Sequence, residues 1–363
     1  MGASRDPYSD LSLFPFPASR VMQAIVKEKR APGLKVTTVA KPSAGPGEVL
    51  IAVRHAGVCG TDLHIADWDG WAQGRLKPPL VIGHEFAGEI VAVGDGVAEL
   101  KVGQPVTAEG HIVCGHCVQC RTGNGHICRN TRIIGVDRDG AFAEYIAMPA
   151  TNVLPLNGIP TTVGAVMDPM GNAFHTVLTA DVSGSTVFIV GCGPIGCFAV
   201  GIARAAGAAK VIASDVNPKR LELARAMGAH LLINAARDDV VRTVVEETGG
   251  EGADVVCEMS GVPSALHQAF AAVRMGGRVQ LLGIPKGEVP VDFASEIIFK
   301  GITVYGVIGR KMYDTWHQMR RYLTAGLLDP RPVITHQFPL TKVDEAIAAI
   351  RAGDAGKIIL EIA

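Results

Sequence analysis

The run Thr186-Val187-Phe188-Ile189-Val190, followed by Gly191-Cys192-Gly193-Pro194-Ile195-Gly196, constrains this chain more than any other stretch. Such a continuous apolar and β-branched run is the pattern of a parallel strand buried on both faces. The Gly-x-Gly-x-x-Gly that ends it opens an apolar helical stretch, Ile195 to Ala206, and the next strand-like run, Lys210 to Ser214, ends in Asp215. Alone the glycine pattern is weak. Between a strand and a helix, with an acidic residue about twenty positions on, it meets the context of a dinucleotide site. Gly191, Gly193 and Gly196 permit a tight turn and close backbone approach, the helix N-terminus faces a pyrophosphate, and Asp215 accepts from ribose hydroxyls. An acidic group there repels a 2'-phosphate, so NAD is expected in preference to NADP. Lys219 and Arg220 weaken that preference slightly, and Asn217-Pro218 caps the following helix.

The alternation continues. Strands are expected at His230 to Asn234, Asp254 to Cys257, Arg278 to Leu282 and Thr303 to Tyr305, with helices around Asp239 to Glu247 and Pro263 to Val273. Six strands with intervening helices predict a complete doubly wound, Rossmann-type parallel sheet over 171–311. Gly283, Ile284, Val307 and Ile308 then fall at the carboxyl ends of strands, where such a sheet binds its ligand. Beyond it, a segment over 312–363, with a helix around Thr315 to Leu323, a strand-like run Val333 to Phe338, a helix Val343 to Arg351 and a last strand Lys357 to Ile362, is expected to return to the first domain. Cys192, Cys197 and Cys257 read as small buried hydrophobes.

Ahead of the sheet, over 22–170, short β-branched runs are punctuated by Gly and Pro: Gln23 to Val26, Leu34 to Val39, Val49 to Val53, Glu89 to Val93 and Val106 to Ala108. That spacing suggests a β-rich, barrel-like domain whose loops carry function. One loop-rich span, Cys59 to Glu85, collects Cys59, Thr61, His64, His84 and Glu85. A catalytic zinc takes about three ligands from Cys, His and Asp/Glu and keeps a position open, which makes Cys59 and His84 its first candidates and leaves Thr61 and His64 for proton work. Cys114, Cys117, Cys120 and Cys128 form a second cluster within a lobe over 111–130. A tight turn can aim such thiols at one ion, and four thiolates close a tetrahedron, the signature of a structural zinc. A zinc ribbon for nucleic acid is disfavoured, because the formal charge is −1 and no dense Lys/Arg block exists. The same balance offers no polybasic membrane patch, no apolar run reaches the ~18 residues of a membrane helix, and the first twenty residues lack the apolar core of a signal peptide. Residues 1–21 read as an N-terminal extension, the chain as cytoplasmic, and its partners as small molecules.

Taken together, Val58 to His64, the segment Asp67-Trp68-Asp69-Gly70-Trp71, Gly110 to Cys117, Met167 to Ala173, Cys257 to Gly261, Ile308 to Trp316 and Ile334-Thr335-His336 resemble the zinc-dependent medium-chain dehydrogenases over nearly all of the chain after Met22. The resemblance implies a GroES-like β-rich catalytic domain joined to the Rossmann domain, two zinc ions per chain, NAD as cofactor and a homotetramer. It implies that Cys59, His84 and Glu85 attend the catalytic zinc, that Thr61 and His64 relay a proton, and that Asp168 supports catalysis beside the metal, directly or through water. It suggests Ile195, Asp215, Arg220, Leu282, Gly283, Ile284, Val307 and Ile308 as NAD contacts and His111 as a residue that influences substrate choice. The Trp68/Trp71 segment, Gly110-His111 and Gly309-Arg310 point within the family to oxidation of the 3-hydroxyl of L-threonine, whose product a 2-amino-3-oxobutanoate CoA ligase would consume. A polyol or secondary-alcohol dehydrogenase of the sorbitol or butanediol type is the alternative, and a non-catalytic nucleotide-binding protein is the rival from another class.

Overall fold

The computed structural model describes residues 20–353 and 355–362. The expected N-terminal extension therefore lies outside the described residues up to position 19, and Val21 already belongs to a strand. In chain order the first part contains β1 (Val21–Lys27), β2 (Lys35–Ala40), β3 (Glu48–Val58), α1 (Gly60–Asp67), α2 (Gly70–Arg75), β4 (Leu80–Val81), β5 (Glu85–Val93) and β6 (Pro105–Ala108). A cysteine-rich lobe follows with β7 (His111–Ile112), α3 (Val118–Arg121) and β8 (Arg132–Ile133). Then come β9 (Tyr145–Pro149), β10 (Val153–Pro155), α4 (Thr161–Gly164) and α5 (Met167–Val177).

The alternating part runs β11 (Thr186–Val190), α6 (Pro194–Ala205), β12 (Lys210–Asp215), α7 (Pro218–Ala226), β13 (Leu231–Asn234), α8 (Val240–Glu247), β14 (Ala253–Glu258), α9 (Pro263–Ala272), β15 (Val273–Leu281) and β16 (Thr303–Gly306). These strands form one sheet in the order β13-β12-β11-β14-β15-β16, and every pairing in it is parallel. The doubly wound sheet expected from the alternation is present, and its order reverses between β11 and β14, which opens a crevice at their carboxyl ends. β11 shows why its sequence is apolar throughout. Val187 and Ile189 join a core shared with α5, α6 and α10 (Asp314–Thr324), whereas Phe188 and Val190 pack with α8 and α9 on the opposite face. Each such fully buried side chain stabilises the fold by up to about 1.5–3 kcal/mol. β15 starts at Val273 rather than Arg278: Val273 already pairs with Ala253, and the ladder resumes at Arg278 opposite Val255 after an irregularity in which Gly276 takes φ +67°.

The last elements are β17 (Ile334–Pro339), α11 (Val343–Arg351) and β18 (Lys357–Glu361). β18 pairs antiparallel with β3, Ile358 opposite Val58 and Leu360 opposite Ala56, and β17 lies parallel to β18. The seven-stranded sheet thus runs β10-β6-β5-β3-β18-β17, with β9 also on β3. Ile358, Leu360 and Ile347 are buried in the same core as Val49, Phe86 and Ile90. Two segments about 300 residues apart in sequence build one wall of the site, and Lys357 enters that wall as a buried charge.

Candidate active site

The span between β3 and β5 is not the loop expected of it. It holds two helices, each started by a side-chain cap: Cys59 caps α1, accepting from Thr61 N at 3.2 Å, and Asp69 caps α2, accepting from Ala72 N at 3.1 Å. Glycines at 60 and 70, and Trp68 in the left-handed region that closes α1, hide these short helices from a sequence reading. The Asp62 carboxylate reaches back to Cys59 N at 2.9 Å, completing a capping box with a thiol in the Ser/Thr place. The Cys59 sulfur is thereby aimed out of the helix start. His84 Nε2 lies 3.4 Å from it. Zinc–sulfur and zinc–nitrogen bonds of about 2.3 and 2.05 Å in a tetrahedron give an edge of about 3.6 Å, so the pair is spaced as two ligands of one ion. Gly83 precedes His84 with φ +89°, and a Cβ there would strike the Phe142 ring, which leaves glycine as the residue that fits.

His84, Glu85 and Asp168 offer one ligand atom each within 4.8 Å of one another, as do Cys59, Asp62 and His84. Asp168 stands in the first turn of α5 with Oδ2 bound to Arg310 Nη1 at 2.9 Å, while its buried Oδ1 has no partner. Glu85 is ion-paired with Lys357. Burial pushes the Glu85 carboxyl up to about 7, against the opposing pull of Lys357 and His84. Burial likewise pushes the Cys59 thiol up, assisted by Asp62, and at His84 it is outweighed by the Cys59 sulfur, which holds the imidazolium well above its ordinary range. His84 belongs to both groups, so the thiol of Cys59 and the carboxylate of Asp168 flank one imidazole, and thiol, imidazole and carboxylate are donor types that fit a catalytic zinc.

Behind Asp168 lies a cluster that sequence reading did not assemble. Glu109, wholly buried, accepts from Arg310 Nη2 at 2.5 Å and Nε at 2.9 Å, from Trp316 Nε1 at 2.8 Å and from His111 N at 2.9 Å. His111 Nδ1 sits 2.8 Å from Glu109 Oε1 and 2.5 Å from Arg310 Nη2. Asn152 donates to the carbonyls of Glu109 and His111 at 2.7 and 2.9 Å. Although burial raises it, the Arg310 guanidinium and the His111 bond hold the Glu109 carboxyl well below the usual range. Arg310 was visible only as part of a motif; Glu109 carried no signal, since one Glu beside Gly-His has many surface uses.

Thr61 and His64 lie one turn apart on α1. The His64 ring is half exposed, with Nδ1 2.5 Å from Asp69 Oδ2. Trp71 is tilted against that ring, centroids 6.1 Å apart.

In the lobe, Sγ–Sγ distances are 3.4 Å for Cys117–Cys120, 3.5 Å for Cys114–Cys128 and 3.8 Å for Cys117–Cys128. A Zn–S bond of about 2.3 Å gives a tetrahedral edge of about 3.8 Å, and all four thiols fall within one such group. Backbone N–H groups, His116 N first, pull the Cys114 thiol down to about 5, whereas burial and its thiol neighbours push Cys120 up to about 12. Four sulfurs so close cannot all ionise without a cation between them.

The nucleotide crevice is shaped by its glycines. Gly191 has φ +93° and abuts Ser260, and a Cβ on Gly196 would lie 1.9 Å from the Gly191 carbonyl oxygen. Gly193 caps α6 with Pro194 in the first turn, and nothing lies within 4 Å of where its Cβ would be, the open space a pyrophosphate needs at a helix N-terminus. Asp215 ends β12 and braces the loop, Oδ2 accepting from Cys192 N and Oδ1 from Asn217 N, each at 2.8 Å. Arg220 brings a buried, unpartnered Nε near the same loop; Ile195 is half-buried; Leu282, Gly283, Ile284, Val307 and Ile308 follow β15 and β16, with Ile284 and Ile308 exposed at the sheet's carboxyl edge.

Residues 45–158 match the alcohol dehydrogenase GroES-like domain and residues 194–325 the zinc-binding dehydrogenase family. The L-threonine 3-dehydrogenase of Bacillus licheniformis is 48% identical over 340 residues, 93% of this chain and 98% of its own length. That of Pyrococcus abyssi is 48% identical over 343 residues, 94% and 99% of the two chains. Among solved structures, the alcohol dehydrogenase TADH from Thermus sp. ATN1 superposes with a TM-score of 0.87 at 30% identity, and 2R,3R-butanediol dehydrogenase from Bacillus subtilis with 0.86 at 27%; each alignment spans 94% of this chain and 100% of the other. With a GroES-like half that presents the thiol and imidazole, a parallel sheet that presents the glycine crevice, and near-full-length identity to its members, the chain belongs to the zinc-dependent alcohol-dehydrogenase-type oxidoreductases.

Proposed function

We propose that this chain oxidises the 3-hydroxyl of L-threonine with NAD, giving 2-amino-3-oxobutanoate, NADH and a proton. The observation that carries the reading is identity of 48% over 93% of the chain to proteins named L-threonine 3-dehydrogenase, against 27% to the butanediol dehydrogenase. Residues 22–170 together with 312–363 form the catalytic part in this reading, and 171–311 the nucleotide part. Cys59 and His84 hold the catalytic zinc, with Glu85 and Asp168 beside it. Cys114, Cys117, Cys120 and Cys128 hold the structural ion. Bound zinc supplies Lewis acidity toward a hydroxyl, and bound NAD supplies a hydride acceptor.

The rest is the work of side chains. Thr61 takes the substrate hydroxyl proton as it gives up its own, His64 receives it, and solvent collects it from the exposed ring. Arg310 holds Asp168 by one oxygen and leaves the other free, and His111 borders the same cluster as the substrate-facing residue. Gly191, Gly193, Ile195 and Gly196 receive the pyrophosphate, Asp215 and Arg220 the adenosine side, and Leu282 to Ile284 with Val307 and Ile308 the nicotinamide side.

A homotetramer is supported by exposed Phe293, Ile298, Phe299 and Val304 at the β16 edge of the sheet, an apolar group that self-association would cover. The setting proposed is cytoplasmic, with the unstable 3-oxo acid passed to a CoA ligase. The test is NADH formation by zinc-loaded protein with L-threonine, beside sorbitol and butanediol. Threonine-dependent turnover that chelation abolishes and zinc restores is expected; turnover confined to the polyols would overturn the substrate.

A further inference from the structure

The turn between α1 and α2 holds an acidic side chain that this proton path leaves unused. Asp69 is fixed before any substrate arrives, because Oδ1 caps α2 through Ala72 N at 3.1 Å. Its second oxygen, Oδ2, lies 2.5 Å from His64 Nδ1. A carboxylate only accepts, so Nδ1 carries the proton and the Nε2 lone pair is the ring's basic site. The Ala72 N–H, and then the His64 bond, hold the Asp69 carboxyl below its usual range, which keeps it charged. Trp71, in the first turn of α2, lies tilted to the His64 ring with centroids 6.1 Å apart.

We propose that Asp69 is a positioning residue of the oxidation: it holds His64 in the Nδ1–H tautomer and strengthens Nε2 as acceptor of the proton that leaves through Thr61. This rests on the Thr61–His64 reading above. The substrate hydroxyl proton moves to Thr61 and the Thr61 hydroxyl proton to His64 Nε2, while bound NAD would accept the C–H electron pair as hydride. The imidazolium so formed faces a fixed negative charge and then releases its proton to solvent. The His64–Asp69 pair matches the histidine–carboxylate half of a Ser-His-Asp triad. Thr61 and His64, three positions apart, share one face of α1. Around that helix, Asp67 is paired with Arg351 of α11, Asp62 is buried against Cys59 N, and Lys27 lies over Trp68. Among the described residues Asp69 is the charged group that hydrogen-bonds the ring.

Asp69→Asn and Asp69→Ser both keep a side chain that caps α2, so the helix start survives. These variants, His64→Asn and the wild type are compared by kcat and kcat/KM for L-threonine across the acidic limb of the pH profile, with zinc content and KM for NAD as controls. A positioned general base contributes ~10²–10⁴-fold, and losing its orienting partner is expected to lower kcat about tenfold. The acidic limb should move to lower pH, because the imidazolium loses its counter-charge, and Asn should be the milder change, because its amide oxygen still accepts from Nδ1. If His64→Asn slows turnover while both Asp69 variants keep the wild-type kcat and limb, the Asp69 role is overturned and the relay stands. If His64→Asn leaves turnover and its pH profile unchanged, the relay reading falls and the Asp69 role with it. A fall in kcat accompanied by loss of zinc would assign Asp69 to the cap alone and overturn the proposal.

Discussion

Glu109 shows most plainly how single residues decide this site. Its carboxylate answers one guanidinium, an indole N–H and a backbone N–H, all removed from water. Removing one partner of a buried pair strands the other charge, which costs about 3–5 kcal/mol. Glu109→Gln should therefore lower unfolding stability by about that much in denaturant melts, and a loss under about 1 kcal/mol would show that Arg310 finds Asp168 sufficient. The sign with pH follows from the same geometry. The folded carboxyl is held below its unfolded value of about 4.3, so its contribution is complete above that pH and drains away as pH falls below it. Melting the wild type and Glu109→Gln through that acid range should show a steeper decline for the wild type. Nothing local marks Glu109 for this task. Cys59 and His84 were legible because a thiol and an imidazole gathered in one short span with Thr61, His64 and Glu85 suit a metal, whereas an Asp or Glu becomes a site residue only by what the fold places opposite it.

Among the elements, the cysteine lobe depends most on a ligand. α3 has four residues, and the lobe's two strands have two each, far below what such pieces sustain unaided. A structural zinc contributes about 10–16 kcal/mol in zinc-finger peptides at neutral pH, so Cys128→Ser should lose one zinc per chain and expose residues 111–130 to protease while the parallel sheet stays folded. Retained metal with unchanged cleavage would sink that assignment. The four cysteines were legible as a group because their chemistry is local: within fifteen positions they need only a turn, whereas the lobe's short strands and α3 left no signal. α1 and α2 were not legible, although their caps are equally local. Cysteine is a rare N-cap, and runs of eight and six residues with glycines carry too little periodicity to distinguish a helix from a loop.

At the scale of the molecule, the open edge of the parallel sheet carries the remaining expectation. β16 pairs on one side with β15; exposed Phe293 and Ile298 stand in the π-helical turn before it, and exposed Phe299 caps that turn. If this edge is where copies meet, Phe299→Glu should shift the sedimenting species to a smaller assembly with secondary structure intact; an unchanged mass would place the contact elsewhere. The sequence by itself determined the doubly wound sheet, its glycine crevice, the thiolate lobe and the Cys59–His84 pair. Each is written in residues close together in the chain, where periodicity and spacing act directly. Only the tertiary structure decided that Arg310 meets Glu109 across 201 positions, that Lys357 meets Glu85, and that β18 closes the sheet at β3. The reason is energetic: a buried charge is tolerable only beside its partner, and long-range packing alone chooses which partner that is.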